Sequence, residues 1–116
     1  MTVAIYIDTA MEKLASDLDA SISTLEKLAS DLDPEVRNAV AQHPKTTAET
    51  LVALGRDADP QVLLSVVQHP LAGRELLLSL SYFDQEIAIR QIARQRLVPL
   101  LKEEIREDVL ERWESQ

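Results

Sequence analysis

The amino-acid sequence predicts an all-α fold: a short right-handed α-solenoid of about three two-helix repeats with a capping helix at each end. Three observations carry that prediction. The chain repeats itself with a period of 26 residues, and helix start and stop signals recur at the same period. Aromatic residues make up only 3% of the 116, so a core must come from Leu, Val, Ile and Ala, the residues of packed helices. With 46% hydrophobic and 28% charged residues and two glycines, the composition is that of one folded domain.

The repeat is visible by self-comparison. Val40-Ala41-Gln42-His43-Pro44 returns as Val66-Val67-Gln68-His69-Pro70, and Asp33-Pro34-Glu35-Val36 returns as Asp59-Pro60-Gln61-Val62. Leu25 and Leu28, Leu51 and Leu54, and Leu77 and Leu80 follow the same step, as do Leu14-Ala15 before and Ile92-Ala93 after. A second duplication, Glu12 to Asp19 against Glu26 to Asp33, has a shift of 14 and suggests that both helices of a unit use similar patterns.

The elements follow in order. Val3, Ile7, Met11, Leu14 and Leu18 share one helical face, which predicts an N-terminal capping helix within 1–20. Asp33-Pro34 and Asp59-Pro60 read as N-cap and first helical residue, where proline's missing N–H costs nothing. Val36, Ala39 and Val40, then Val62 and Val66, keep helical spacing, and His-Pro ends each of these helices. Thr46-Thr47-Ala48-Glu49 is a capping-box pattern for the next helix, and Ser23-Thr24-Leu25-Glu26 offers a comparable start one repeat earlier. Gly55 suits a helix C-terminus. Residues 84–98 read as helix, Pro99 interrupts it, and Leu101, Ile105, Val109 and Trp113 line a final helix. The repeats thus span 21–97 and the C-terminal cap 98–116.

The run Leu28-Ala29-Ser30-Asp31-Leu32-Asp33-Pro34-Glu35-Val36-Arg37, continued by Val40-Ala41-Gln42-His43-Pro44-Lys45-Thr46 and Leu51, resembles the leucine-rich repeat variant (LRV) family. That family's units follow Leu-Ala-x-Asp-x-Asp-Pro-x-Val-Arg-x-x-Val-Ala-x-Asn-Pro-x-Thr, and the resemblance covers about residues 14–80. It implies a HEAT-like superhelix of short helices. The family's type example carries a Cys-ligated iron–sulfur module; this sequence has no cysteine, so the resemblance implies no such cofactor here. His43 and His69 stand where the pattern has Asn, and Leu63 where it has Arg.

Charge narrows the function. Twelve Lys and Arg against twenty Asp and Glu give a formal −8, which repels phosphate backbones and disfavours nucleic acid as a partner. The excess is concentrated in residues 1–36, where eight acids face only Lys13 and Lys27. Val3 to Ile7 is too short for a membrane span or signal segment, so a cytoplasmic, bacterial-type protein is the expectation. No cofactor and no small molecule is indicated.

Candidate chemistry is sparse. His43 and His69, at equivalent positions, could share a metal, but a turn role before proline suffices for both. Asp17/Asp19, Asp31/Asp33 and Asp57/Asp59 are carboxylate pairs, yet none lies in a calcium loop and Asp33 and Asp59 serve as N-caps. No nucleophile motif or glycine-rich phosphate loop supports an enzyme.

A binding surface has better support. Arg37, Asn38 and Ala41 should face away from the core; their counterparts Leu63, Leu64 and Val67 would then form an outward apolar cluster, either an interface or a surface under the C-terminal helix. Tyr82 and Phe83 are an aromatic pair at a turn. Arg90, Arg94 and Arg96 form a basic cluster, with Glu86 one turn before Arg90. The expected function is a non-enzymatic protein–protein interaction module that binds another protein or itself as a homodimer. The alternative is an acidic, immunity-type inhibitor covering a basic site on a nuclease or DNA-binding protein.

Overall fold

The computed structural model describes residue 11 and residues 13–83, 86–100 and 103–114, without the side chains of 83 and 103–108. Every regular element among them is helical. A helical segment at 13–16 leads into α1 (Ile22–Leu28), α2 (Pro34–Gln42), α3 (Ala48–Leu54), α4 (Pro60–Gln68), α5 (Arg74–Phe83) and α6 (Ile87–Leu97). A 3₁₀ turn (Val98–Leu100) and α7 (Glu103–Glu114) complete the chain. Among the described residues no helix is long and apolar enough to cross a membrane.

Local chemistry sets most boundaries. The Asp33 and Asp59 carboxylates accept the Glu35 and Gln61 amides at 2.9 and 2.8 Å, and Pro34 and Pro60 open α2 and α4. Each such cap contributes about 0.5–2 kcal/mol. His43 and His69 are extended residues that close the same helices ahead of a proline. The 3₁₀ turn around Pro99 separates α6 from α7.

Two helix starts differ from the sequence expectation. The N-cap of α3 is Thr47, whose hydroxyl accepts the Thr50 amide, because the Thr46 hydroxyl is drawn inward and donates to the Val40 carbonyl at 2.6 Å. The N-cap of α1 is Ser21, two residues before the expected start, with its Oγ accepting the Thr24 amide. Gly55 closes α3 with a right-handed φ of −66°, so conformational freedom is not its role. A Cβ there would lie 2.8 Å from Leu76 Cδ1, and glycine instead permits the close approach of α5.

Packing is ordered by helix pairs. α2 packs on α4 and α4 on α6, while α1 and α3 lie against α2, α3 against α4, and α5 against α6. The molecule measures 55 × 26 × 15 Å. Leu25, Leu51 and Leu77, at matching positions of α1, α3 and α5, are all buried, as are Leu28, Leu54 and Leu80. Ala15, Ala41, Val67 and Ala93, each 26 residues from the next, have no exposed surface at all.

The N-terminal stripe departs from expectation. Ala15 is buried, whereas Leu14 and Leu18 are exposed and do not share its covered face. Val3 and Ile7 lie outside the described residues, as does Leu101, and of the remaining stripe in α7 Val109 and Trp113 are buried. The α6 helix begins at Ile87, behind an N-cap Glu86 that makes no side-chain capping bond. Asp84, where the sequence suggested a start, lies outside the described residues.

Candidate functional site

The two histidines define a chain of hydrogen bonds rather than a metal site. Each Nδ1 accepts a backbone amide two residues ahead, from Lys45 and from Leu71, both at 3.0 Å. An accepting Nδ1 carries no proton, so Nε2 carries it and donates. His43 Nε2 donates to the Asp17 carbonyl and His69 Nε2 to the His43 carbonyl, each at 2.7 Å and each across 26 residues. The receiving carbonyls also take a turn amide, from Ala20, Thr46 and Ala72 onto Asp17, His43 and His69. The third carbonyl, of His69, is served by Arg96, whose Nη1 donates to it and to the Val67 carbonyl at 2.7 Å. Both ring nitrogens of each histidine are therefore occupied, and among the described residues no three His, Asp or Glu side chains are grouped to hold a metal.

The aspartate pairs have an equally local use. Asp17, Asp31 and Asp57 each accept the amide of the aspartate two residues on, at 2.9 Å, and so shape the turn before a helix. The duplication at a shift of 14 places one such turn before α1 and its copy before α2.

The face expected to point outward is a seam. Arg37 crosses it in a forked ion pair with Asp57, Nε to Oδ2 at 2.6 Å and Nη2 to Oδ1 at 3.2 Å. Its Nη1 donates to the Asp31 and Leu32 carbonyls. The hydrogen bond to Asp57 pushes the guanidinium pKa above its ordinary value, against a smaller effect of burial. Asn38 is held by the Ser65 hydroxyl, which donates to its amide oxygen, and Ala41 is fully buried. The expectation of an exposed Leu63, Leu64 and Val67 cluster is corrected accordingly. Leu63 is 8% exposed, Val67 0%, and Leu64 half-buried, because α4 lies between α2 and α6 and has covered faces on both sides.

The remaining predicted residues separate. Tyr82 and Arg94 come together on Trp113, which the sequence places on one face of the final helix and not among the candidate site residues. The Tyr82 and Trp113 rings are tilted by 53° with centroids 6.0 Å apart, and the Arg94 guanidinium sits 5.0 Å from the Trp113 centroid. Cation–π contacts of this kind contribute about 0.5–2 kcal/mol. Arg96 faces the α4 carbonyls, not an exposed basic patch with Arg94. Arg90 is half-buried on α6, its amide bonded to the Glu86 carbonyl; Phe83 ends α5, and its side chain lies outside the described part.

Between α6 and α7 a groove of about 310 Å³ is lined by Arg94, Gln95, Val98, Leu110, Trp113 and Glu114. Two further grooves run between the alternate helices. One, lined by Glu26, Glu49 and Asp57 among others, separates α1 from α3; the other, lined by Val52, Arg56, Glu75 and Leu76, separates α3 from α5. The spacing of Val109 and Trp113 announced a packed face on α7, but nothing in the sequence indicated that Arg94 would meet it. Compared with known proteins, the chain matches no family model, no curated protein and no solved structure.

Proposed function

We propose that this chain is a non-enzymatic protein–protein interaction module, a short α-solenoid of LRV- or HEAT-like units with a period of 26. The observation that carries the proposal is a pair of exposed apolar side chains at equivalent positions. Val52 on α3 is 46% exposed and Leu78 on α5 is 37% exposed, although their neighbours Leu51 and Leu77 are fully buried. Val52 also borders the α3–α5 groove. Repeated exposure of aliphatic side chains beside a groove suits a partner that inserts its own apolar side chains. The partner is another protein or a second copy, and a cytoplasmic setting belongs to the same proposal.

The test pairs the native protein with Val52→Glu/Leu78→Glu. Light scattering reports self-association, and crosslinked capture from a lysate reports other partners. Loss of the complex by a variant with native circular dichroism supports this surface; an unchanged complex overturns it. The α1–α3 groove, with exposed Glu26 and Glu49 on its walls, favours the second reading, an acidic inhibitor that covers a basic site. Binding of that kind weakens steeply with salt, whereas the apolar surface does not require it.

A further inference from the structure

The α1–α3 and α3–α5 grooves are one groove formed twice. Every residue lining the second lies 26 positions after a residue lining the first. The positions repeat, but the chemistry does not. Glu26 and Thr50 in the first groove become Val52 and Leu76 in the second, so an acid and a hydroxyl give way to aliphatic surface. Glu49 is kept as Glu75, whereas Ser30 becomes Arg56, which leaves the second groove with one charge of each sign. No residue lining the first groove is cationic. Its Asp57 carboxylate is neutralised by Arg37, while Glu26 and Glu49 are exposed and, among the described residues, in no ion pair.

Two carboxylates on facing helices repel each other, and a cation between them relieves that repulsion while donating to both. We infer that the two grooves together bind an amphipathic helix of a partner protein, with a Lys or Arg in the α1–α3 groove and a Leu or Ile in the α3–α5 groove. The inference rests on the reading of the Val52 surface as an interaction site and adds the chemistry of the partner. The grooves flank α3 and so lie about one helix width apart, roughly 10 Å. Residues i and i+7 of a helix share a face at about that distance. The volumes agree with the assignment: about 340 Å³ for the long basic side chain and about 180 Å³ for the aliphatic one.

The experiment titrates the native protein with three labelled helical peptides of equal length and pattern, built from Leu and Lys, Leu and Glu, or Ala and Lys. Fluorescence anisotropy is expected to give a Kd on the order of 100 μM for the Leu/Lys peptide. The other two should bind about tenfold more weakly or not at all. Glu26→Gln/Glu49→Gln should weaken the Leu/Lys peptide about tenfold, and Glu35→Gln/Glu111→Gln, which removes the same charge at exposed positions elsewhere, by about twofold at most. Equal weakening by the two double variants overturns the inference, because the attraction is then one of net charge alone. Failure of the Leu/Lys peptide to bind overturns it as well. Equal binding of the Leu/Lys and Leu/Glu peptides also overturns it, and if Val52→Ser then weakens both, the interaction surface itself stands. Native binding of both by Val52→Ser removes that surface and the inference together. The comparison of peptides on the native protein decides the matter even if a variant fails to fold.

Discussion

His69 donates from Nε2 to the carbonyl of His43, a residue 26 positions earlier that makes the same bond to Asp17. Each ring also receives an amide from its own turn, so one side chain closes a helix end and ties it to the preceding turn. Arg96 performs the linking half of this task for the His69 carbonyl, where the His-Pro marker is missing from the sequence. The loss of the sequence repeat at that point is thus not a loss of the hydrogen bond.

His69→Ala should destabilise the protein by about 2–4 kcal/mol, because the Leu71 amide and one acceptor position of the buried His43 carbonyl lose their partner together. His69→Asn should fall between, since Asn can still accept the Leu71 amide but is shorter. Urea denaturation of the three proteins checks the order.

The ion pair across the seam predicts a coupling. A step of 26 carries Arg37 and Asp57 onto Leu63 and Phe83, so both charged members become apolar together. Arg37→Leu alone should cost about 2–4 kcal/mol by leaving the Asp57 carboxylate, 7% exposed, without its counter-ion. Combining it with Asp57→Phe should cost less than the two single changes added, by about 1–2 kcal/mol in a double-mutant cycle. Strict additivity would refute the coupling.

The pH dependence of that pair follows from the raised Arg37 pKa. A group whose folded pKa lies above its unfolded value contributes fully below the unfolded value and loses the contribution as pH rises through the folded one. For arginine both values lie beyond the neutral range, so Arg37 should add no slope to stability between pH 6 and 9. The difference in stability between native and Arg37→Leu proteins, measured across that range, should therefore owe no trend to the guanidinium.

Leu63→Asp should unfold the protein instead of marking a surface. Leu63 packs in the core, and a carboxylate buried there without a partner costs more than about 3 kcal/mol. Val52→Glu and Leu78→Glu, at exposed positions, should leave the helical circular dichroism intact. A folded Leu63→Asp protein with an unchanged melting temperature would contradict the seam.

Arg96→Ala removes the donor shared by the Val67 and His69 carbonyls and should cost about 1–3 kcal/mol. Arg96→Lys, which keeps a cationic donor on a flexible stem, should restore part of it. Thermal unfolding of both variants measures the difference.

Helix identity and most helix ends were legible in the sequence because their causes are local. Asp-Pro and His-Pro act on backbone groups within a turn of themselves, and the Leu25, Leu51 and Leu77 positions repeat with the period that buries them. Where two hydroxyls competed, as at Thr46 and Thr47, the local signal was ambiguous, and the buried Val40 carbonyl decided between them. Which side of α4 is covered was not a local matter. Leu63 and Val67 look outward on an isolated helix, and they become core because α4 lies between α2 and α6. Arg94 likewise meets Trp113 only because α7 folds back beside α6. A period in the sequence determines which residues are equivalent, whereas burial depends on the surfaces that distant segments bring, and those contacts exist only in the tertiary structure.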